Sequence, residues 1–354
     1  MKTLNNPYTG THIEFHIIQP SAVSCLNRDD LGSPKTAMIG NTIRSRVSSQ
    51  CWKRAVRQSM QDNGVKLGVR TRNVATLLTD ACAALGANET QASECGEFLA
   101  NTMTSKALLF ISHTEIQAMA NFAKEHDFDK DSIKTADLTK CIKNAINYAV
   151  DGLDIALFGR MVASNNSLKV TGAVSFSHAI STHGRRNEID MFTALDDLSD
   201  GTSAESAHKD ESEFNSATYY RYISIDLGQL AENLTQCGHP LNPETMKAAI
   251  DAFTKALYMA VPMARQASHS SATPWEYANV LVRRGQRMQA PFETPVKSEG
   301  LGYLASSIKT LKEWIALKEG MSGSLYGKLG QYIYGEDGKY SIDHLIQDLQ
   351  QHVE

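Results

Sequence analysis

Ile13, Phe15 and Ile17 alternate with Glu14 and His16, a period of two that predicts a half-buried strand ended by Pro20. Behind two serines able to cap a helix, Ser48 and Ser49, the period changes. Trp52, Ala55, Val56 and Met60 recur at helical spacing and predict a helix over about residues 50–60. From about Asn73 to Val150 the texture is wholly helical: Val74, Leu77, Leu78, Ala81 and Leu85, then Phe98 and Leu99, then Leu138, Ile142, Ala145, Ile146 and Ala149. This is the pattern of an inserted helical lobe. Asp151-Gly152 breaks it, and Leu153 to Val162 reads as strand-like chain. Tyr219 to Leu227, aromatic and β-branched, predicts another strand, with Tyr220 and Tyr222 on one face. Asn242-Pro243-Glu244 starts a helix buried through Met246, Ile250, Phe253 and Leu257 and closed by Pro262. Tyr277 to Arg283 predicts a last strand, followed by a link containing Pro291 and Pro295 and a helical region through Leu301, Leu304, Ile308, Leu311 and Ile315. No internal repeat occurs. The order is that of an α+β protein, compatible with the βαββαβ plan of RNA-recognition modules interrupted by two long insertions.

Charge adds a geometry to this plan. Ser24 to Arg57 carries Arg28, Lys35, Arg44, Arg46, Lys53, Arg54 and Arg57 against Asp29 and Asp30, a local charge of +5 in a chain of −4. The rest of the molecule is therefore at −9, and a positive patch on an acidic body focuses a polyanion onto one face. On the predicted helix Gln50, Lys53, Arg54 and Arg57 fall opposite the apolar stripe, a ladder of donors along which a phosphate backbone can lie. The uncapped N–H groups of the first turn, with Ser49 and Gln50 as neutral donors, add to it. Glu188 to Glu213 is the opposite case, with nine acidic residues against Lys209 alone. Its Ser199 to Glu213 portion reads as a loop too polar to order itself. Ile189, Met191, Phe192 and Leu195 at its root form an apolar cluster that needs a partner.

The chemistry of catalysis is sparse. There is no GxxxxGK[ST], no GxSxG and no HExxH. Asp29-Asp30 is the one pair that invites a metal-dependent ribonuclease reading. Adjacent residues on extended chain point to opposite faces, which favours loop capping or pairing with Arg28. His178 and His183 likewise face apart on a strand. The six cysteines show no CxxC and no histidine at zinc spacing, so no cofactor or metal is expected and the thiols read as reduced. No stretch approaches the ~18 consecutive apolar residues of a membrane span, and the start lacks the apolar core of a secretory signal. The expectation is a soluble, cytoplasmic protein.

These residues also carry a resemblance. SCLNRDD, the basic stretch ending in Ser48-Ser49-Gln50, and Lys53-Arg54-Ala55 resemble the amino-terminal signature of the CasC family, the CRISPR-RNA-binding backbone subunit of type I-E CRISPR Cascade. DIALFGRM (Asp154 to Met161), GAVSFSHAISTH (Gly172 to His183), FTALDDL (Phe192 to Leu198) and YYRYISIDL (Tyr219 to Leu227) match in the same order. The resemblance implies a hand: an RRM-like (ferredoxin-like) palm over 11–62, 153–183 and 219–354, the last with C-terminal helices, helical fingers over 63–152, and a β-hairpin thumb over 184–218. It implies a non-catalytic subunit of antiviral defence that polymerises along guide RNA. The implied partners are CRISPR RNA, target DNA, copies of itself, and the large, small, 5′-handle-binding and 3′-hairpin-binding subunits. Arg160 and Met161 match the family's Gly-Arg-Met, whose methionine packs against kinked guide bases, and Met191-Phe192 stands where a Trp-Phe pair is expected in the thumb. Lys134, Lys140 and Lys143, with Lys130, lie where fingers lysines attract target DNA. Two departures stand out: Asn41, Thr42 and Ile43 replace a denser basic run, and the fingers lysines do not keep the family spacing.

Overall fold

The computed structural model describes residues 6–103, 108–162, 165–193, 209–236, 239–300 and 302–354. Its centre is a sheet begun by β1 (Thr11–Ser24), β2 (Thr36–Ile39) and β3 (Thr42–Val47), after which the chain enters α1 (Ser49–Asp62). A helical lobe follows: β4 (Val69–Thr71), α2 (Val74–Ala84), α3 (Glu89–Met103), β5 (Leu109–Ile111), α4 (His113–Glu125) and α5 (Thr135–Ala145). The short α6 (Leu153–Phe158) leads back to the sheet through β6 (Val174–Phe176), β7 (Ala179–Ser181), β8 (Asn187–Thr193) and β9 (Lys209–Asp226). Then come α7 (Leu227–Leu234), α8 (Pro243–Met259), β10 (Tyr277–Arg284), α9 (Leu304–Ser322), β11 (Lys328–Tyr334) and α10 (Ile342–Gln350).

The strands run in the order β11-β10-β1-β9-β7-β3-β2, and every pairing is antiparallel. β6 and β8 also pair with β9, which is long enough to hold β1 along one edge and three short strands in succession along the other. Ile13, Phe15 and Ile17 of β1 face α1 and α8, where they meet Val56, Met60, Ile250 and Phe253 in one core. Burying each such side chain stabilises the fold by about 1.5–3 kcal/mol. The polar face of β1 is buried as well, because α9 lays Leu311 and Ile315 against Ile18, Tyr220 and Leu281 on that side. Glu14 is satisfied there by Arg283 Nη1 at 2.8 Å, the Tyr222 hydroxyl at 2.7 Å and the Met288 N–H at 2.9 Å.

Four expectations change. β1 does not end at Pro20, which pairs with Thr218. β10 leaves β1 after Ile18, so the missing proline N–H costs no ladder bond on that edge. The basic segment contains a hairpin, β2–β3, closed by Gly40 and Asn41, both at positive φ. Leu153 to Val162 is not strand-like: Gly152, at φ 97°, starts α6, whose first five residues are all buried, and an apolar run of that length fits either period. Lys209–Glu213 is not loop but the first part of β9, held by β8 despite its polarity; residues 199–208 lie outside the described residues. α1, α8 and the helices of the lobe fall near where the periodicities place them, but β5 interrupts the helical texture and α5 ends at Ala145, before Ile146 and Ala149.

Candidate nucleic-acid interface

α1 positions the basic ladder. Ser48 caps it by accepting from the Cys51 N–H at 3.3 Å, and Trp52, Ala55, Val56 and Met60 turn inward. Gln50, Lys53, Arg54 and Arg57 are thereby left along one wall of an open groove of about 440 Å³. Across from it stand Arg70 of β4 and Leu108, just before β5, with Phe110 of β5 and Phe158 of α6 as an aromatic floor. The guanidinium groups of Arg57 and Arg70 both lie over the Phe110 ring, at 5.0 and 5.2 Å from its centroid. Arg54 and Arg70 are exposed. Lys53 is half-buried with its Nζ 5.8 Å from the Phe176 ring, and burial lowers its pKa. Arg57 is anchored: its Nε donates to the buried Asp154 at 2.6 Å, while Asp154 also accepts from the Gly68 N–H at 3.0 Å.

At the amino-terminal end of α1 the Ser49 N–H donates to His178 Nδ1 at 3.0 Å. Burial, then the nearby charges of Arg46 and Lys35, lower the pKa of that imidazole. Two N–H groups of the first turn that the sequence left uncapped are therefore already taken, Ser49 by His178 and Cys51 by Ser48, with the charges of Lys35 and Arg46 close by. Arg46 remains half-exposed while donating from Nε to the Thr36 carbonyl at 2.9 Å. Arg28 is exposed on a loop bridged to Pro34, and Asp29 caps that loop by accepting from the N–H groups of Leu31 and Ser33, each at 3.0 Å. One of the two carboxylates of the ribonuclease reading is therefore occupied with backbone. Among the described residues no cluster of three or more His, Cys, Asp or Glu is arranged to hold a metal ion.

Two basic residues expected at the surface are interior struts. Arg44 is fully buried, and its two Nη atoms donate to the carbonyls of Ser181, Thr182, Phe292 and Glu293 at 2.9–3.1 Å, tying β3 to β7 and to the segment after β10. Arg160 is buried against Glu115, with Nη1 at 2.7 and 2.8 Å from its two oxygens, and it also donates twice to the Leu168 carbonyl. Neither guanidinium is available to a phosphate. Met161, the next residue, is 80% exposed, so the buried arginine fixes the backbone from which a bare methionine projects.

Met191 and Phe192, 68% and 46% exposed, lie toward the far end of the β8–β9 hairpin. Lys134 precedes α5 and Lys140 and Lys143 lie on it; none of them lines the groove, and Lys130 is paired with Glu94 at 2.9 Å. The sequence pattern missed Arg70, Leu108, Phe110 and Phe158, which only the return of β5 beside β4 brings to α1. Arg70-Thr71-Arg72 was a local hint, but nothing in it points to a helix that ends eight residues earlier.

Fold and surface define a mixed α/β protein built on an antiparallel sheet, with a concentrated basic groove along one helix. A family model described as CT1975-like protein matches residues 13–333. A solved chain titled "CRISPR RNA-guided surveillance complex, pre-nicking" is 26% identical, covers 97% of this chain and 100% of its own length, and superposes with a TM-score of 0.80. Another, titled "CRISPR RNA-guided surveillance complex", is 24% identical with the same coverage and a TM-score of 0.61, a likeness of fold. No curated protein matches. The chain belongs to the CT1975-like family and is of the CasC type, as the resemblance of its sequence implies.

Proposed function

We propose that this protein is a non-catalytic, guide-RNA-binding backbone subunit of a CRISPR surveillance complex. The observation that carries the reading is the groove, in which the Lys53, Arg54 and Arg57 ladder of α1 faces Arg70 across an aromatic floor. Cationic side chains that meet phosphates set register without reading sequence, which suits a protein that must coat any guide. The similarity at a TM-score of 0.80 to a chain of an RNA-guided complex supports the same reading.

On this proposal residues 11–62, 153–183 and 219–354 form an RRM-like palm. The central order β10-β1-β9-β7, with α1 and α8 on one face, supports it. The face of the sheet that RNA-recognition modules leave open is closed here by α9. RNA is therefore assigned to the α1 groove and to Arg28, Lys35, Arg46 and Met161 around it. Residues 63–152 are the fingers, whose Lys134, Lys140 and Lys143 attract target DNA, and 184–218 are the thumb, gripping through Met191 and Phe192. Copies of the chain line up along one guide beside the other subunits of a type I-E Cascade, in the cytoplasm, and base pairing does the reading. No described helix is long and apolar enough to cross a membrane.

The test is binding of two unrelated single-stranded RNAs to the Lys53→Glu, Arg54→Glu double variant. Affinity is expected to fall about equally for both, with a shallower salt dependence. A loss confined to one RNA would refute the phosphate ladder. Cleavage of RNA at regular intervals, abolished by Asp30→Ala, would make the protein an enzyme instead.

A further inference from the structure

The β8–β9 hairpin has the opposite character to the groove. Its described strands, Asn187–Thr193 and Lys209–Asn215, hold five acidic residues and one lysine. Glu188 and Asp190 are exposed, as are Ile189, Met191 and Phe192. The groove is lined by four basic side chains and no acidic one among the described residues, over a floor that includes Phe110 and Phe158. A seven-residue strand and a fourteen-residue helix are of similar length, each roughly 20–25 Å.

We propose that in the absence of RNA the acidic hairpin of one copy docks in the basic groove of a second copy, as a protein mimic of the guide strand. Glu188 and Asp190 take the places of successive phosphates against Lys53, Arg54 and Arg70, and Phe192 meets the aromatic floor. Arg57 contributes less, since Asp154 already offsets its charge. The occupant is a second copy because the hairpin carries β9 past the end of its ladder with β1 at Asn215, and each chain offers one acidic hairpin and one basic groove. Guide RNA and hairpin then compete for one site. Self-association of the RNA-free protein would shield the groove from unrelated polyanions until a guide displaces it. The mimicry rests on the groove being the RNA site; the docking does not.

Sedimentation of the RNA-free full chain over a wide concentration range, at low and at high salt, tests it. At low salt the expected result is concentration-dependent dimers and larger species that dissociate at high salt. Glu188→Lys with Asp190→Lys should weaken association at least tenfold, and so should Arg54→Glu with Arg70→Glu. All four side chains are exposed, so melting temperatures should stay close to the parent's. Mixing the two reversed proteins should restore association, since each supplies the partner the other now needs. A short single-stranded RNA should dissociate the parent's dimers. A chain monomeric at every concentration at low salt, or hairpin reversal without effect, overturns the docking. Anisotropy with labelled RNA separates this from the proposed function: RNA binding lost on groove reversal in a chain that never self-associates refutes the docking alone. Self-association through hairpin and groove in a chain whose groove binds no RNA refutes the RNA reading alone.

Discussion

Arg44 spends its Nη donors on four backbone carbonyls, and Arg160 spends its own on Glu115 and the Leu168 carbonyl, whereas Arg54 stands exposed on α1. Composition cannot separate these fates. A guanidinium has five donors in a fixed fork, suited equally to carbonyls inside and phosphate outside. The substitution that separates them is the same for each. Arg160→Ala leaves Glu115 buried without its counter-charge and should cost about 3–5 kcal/mol in urea unfolding. Arg54→Ala should change stability by less than about 0.5 kcal/mol and yet weaken RNA binding. Were Arg160→Ala as stable as the parent, the strut assignment would fail. His16 supplies the pH counterpart. Its Nδ1 lies 2.9 Å from the Tyr220 hydroxyl, and burial, helped by Arg283, lowers its pKa to about 3. Because the folded chain binds that proton less readily than the unfolded chain, the contribution is full above about pH 6.5. It falls as pH drops from about 6.5 toward about 3, by at most about 1.4 kcal/mol per pH unit. Replacing His16 with Gln should flatten that part of the stability profile, measured by urea unfolding between pH 7 and pH 5. An unchanged slope would point to another group.

At the scale of elements, what could be read from the chain depended on whether one element carried its own signal. α1 was legible because a capping serine, an apolar stripe and a polar face all lie within one helix. β2–β3 was there to be read in Gly40-Asn41, a turn pair suited to positive φ, although the two short strands beside it carry no clear alternation. The second wall of the groove was not legible, since Arg70, Phe110 and Phe158 meet α1 only through long-range packing. Nor was the burial of Glu14 and His16, whose polarity marks an exposed face unless α9 is known to cover it. The turn makes a direct prediction. Gly40 has φ 53°, and a Cβ there would meet the Glu293 carbonyl oxygen. Gly40→Ala should therefore lower the unfolding free energy by about 1 kcal/mol or more, seen as a lower urea midpoint, since both the left-handed backbone and the close approach oppose a side chain. Arg44 donates to the same carbonyl, so the damage should reach β3 and appear as faster amide exchange in β2 and β3 before the rest of the sheet. Uniform exchange across the sheet would contradict a local fault.

At the scale of the whole molecule, charge is segregated. Positive charge gathers around α1, while the hairpin of β8 and β9 is acidic and carries three of the exposed large apolar residues, Ile189, Met191 and Phe192. An acidic hairpin cannot hold a phosphate backbone by electrostatics, so if it touches a guide it must do so through those apolar side chains. An aromatic residue stacked on a base contributes about 1–3 kcal/mol, and a soft methionine beside it fills space with less directional gain. Removing both should leave the fold alone, because neither is buried; the unfolding free energy of Met191→Ala with Phe192→Ala should stay within about 0.5 kcal/mol of the parent. Binding of one subunit to a short RNA should also persist, since the α1 groove is untouched. Loading of many subunits onto a long guide is where the loss should fall, because in the proposed function each hairpin acts between one copy and the next. The titration of long RNA should become less cooperative and its products shorter by electron microscopy. Cooperative loading by the double variant, with filaments of normal length, would mean that the hairpin does not grip the guide and that contacts between copies lie elsewhere on the chain.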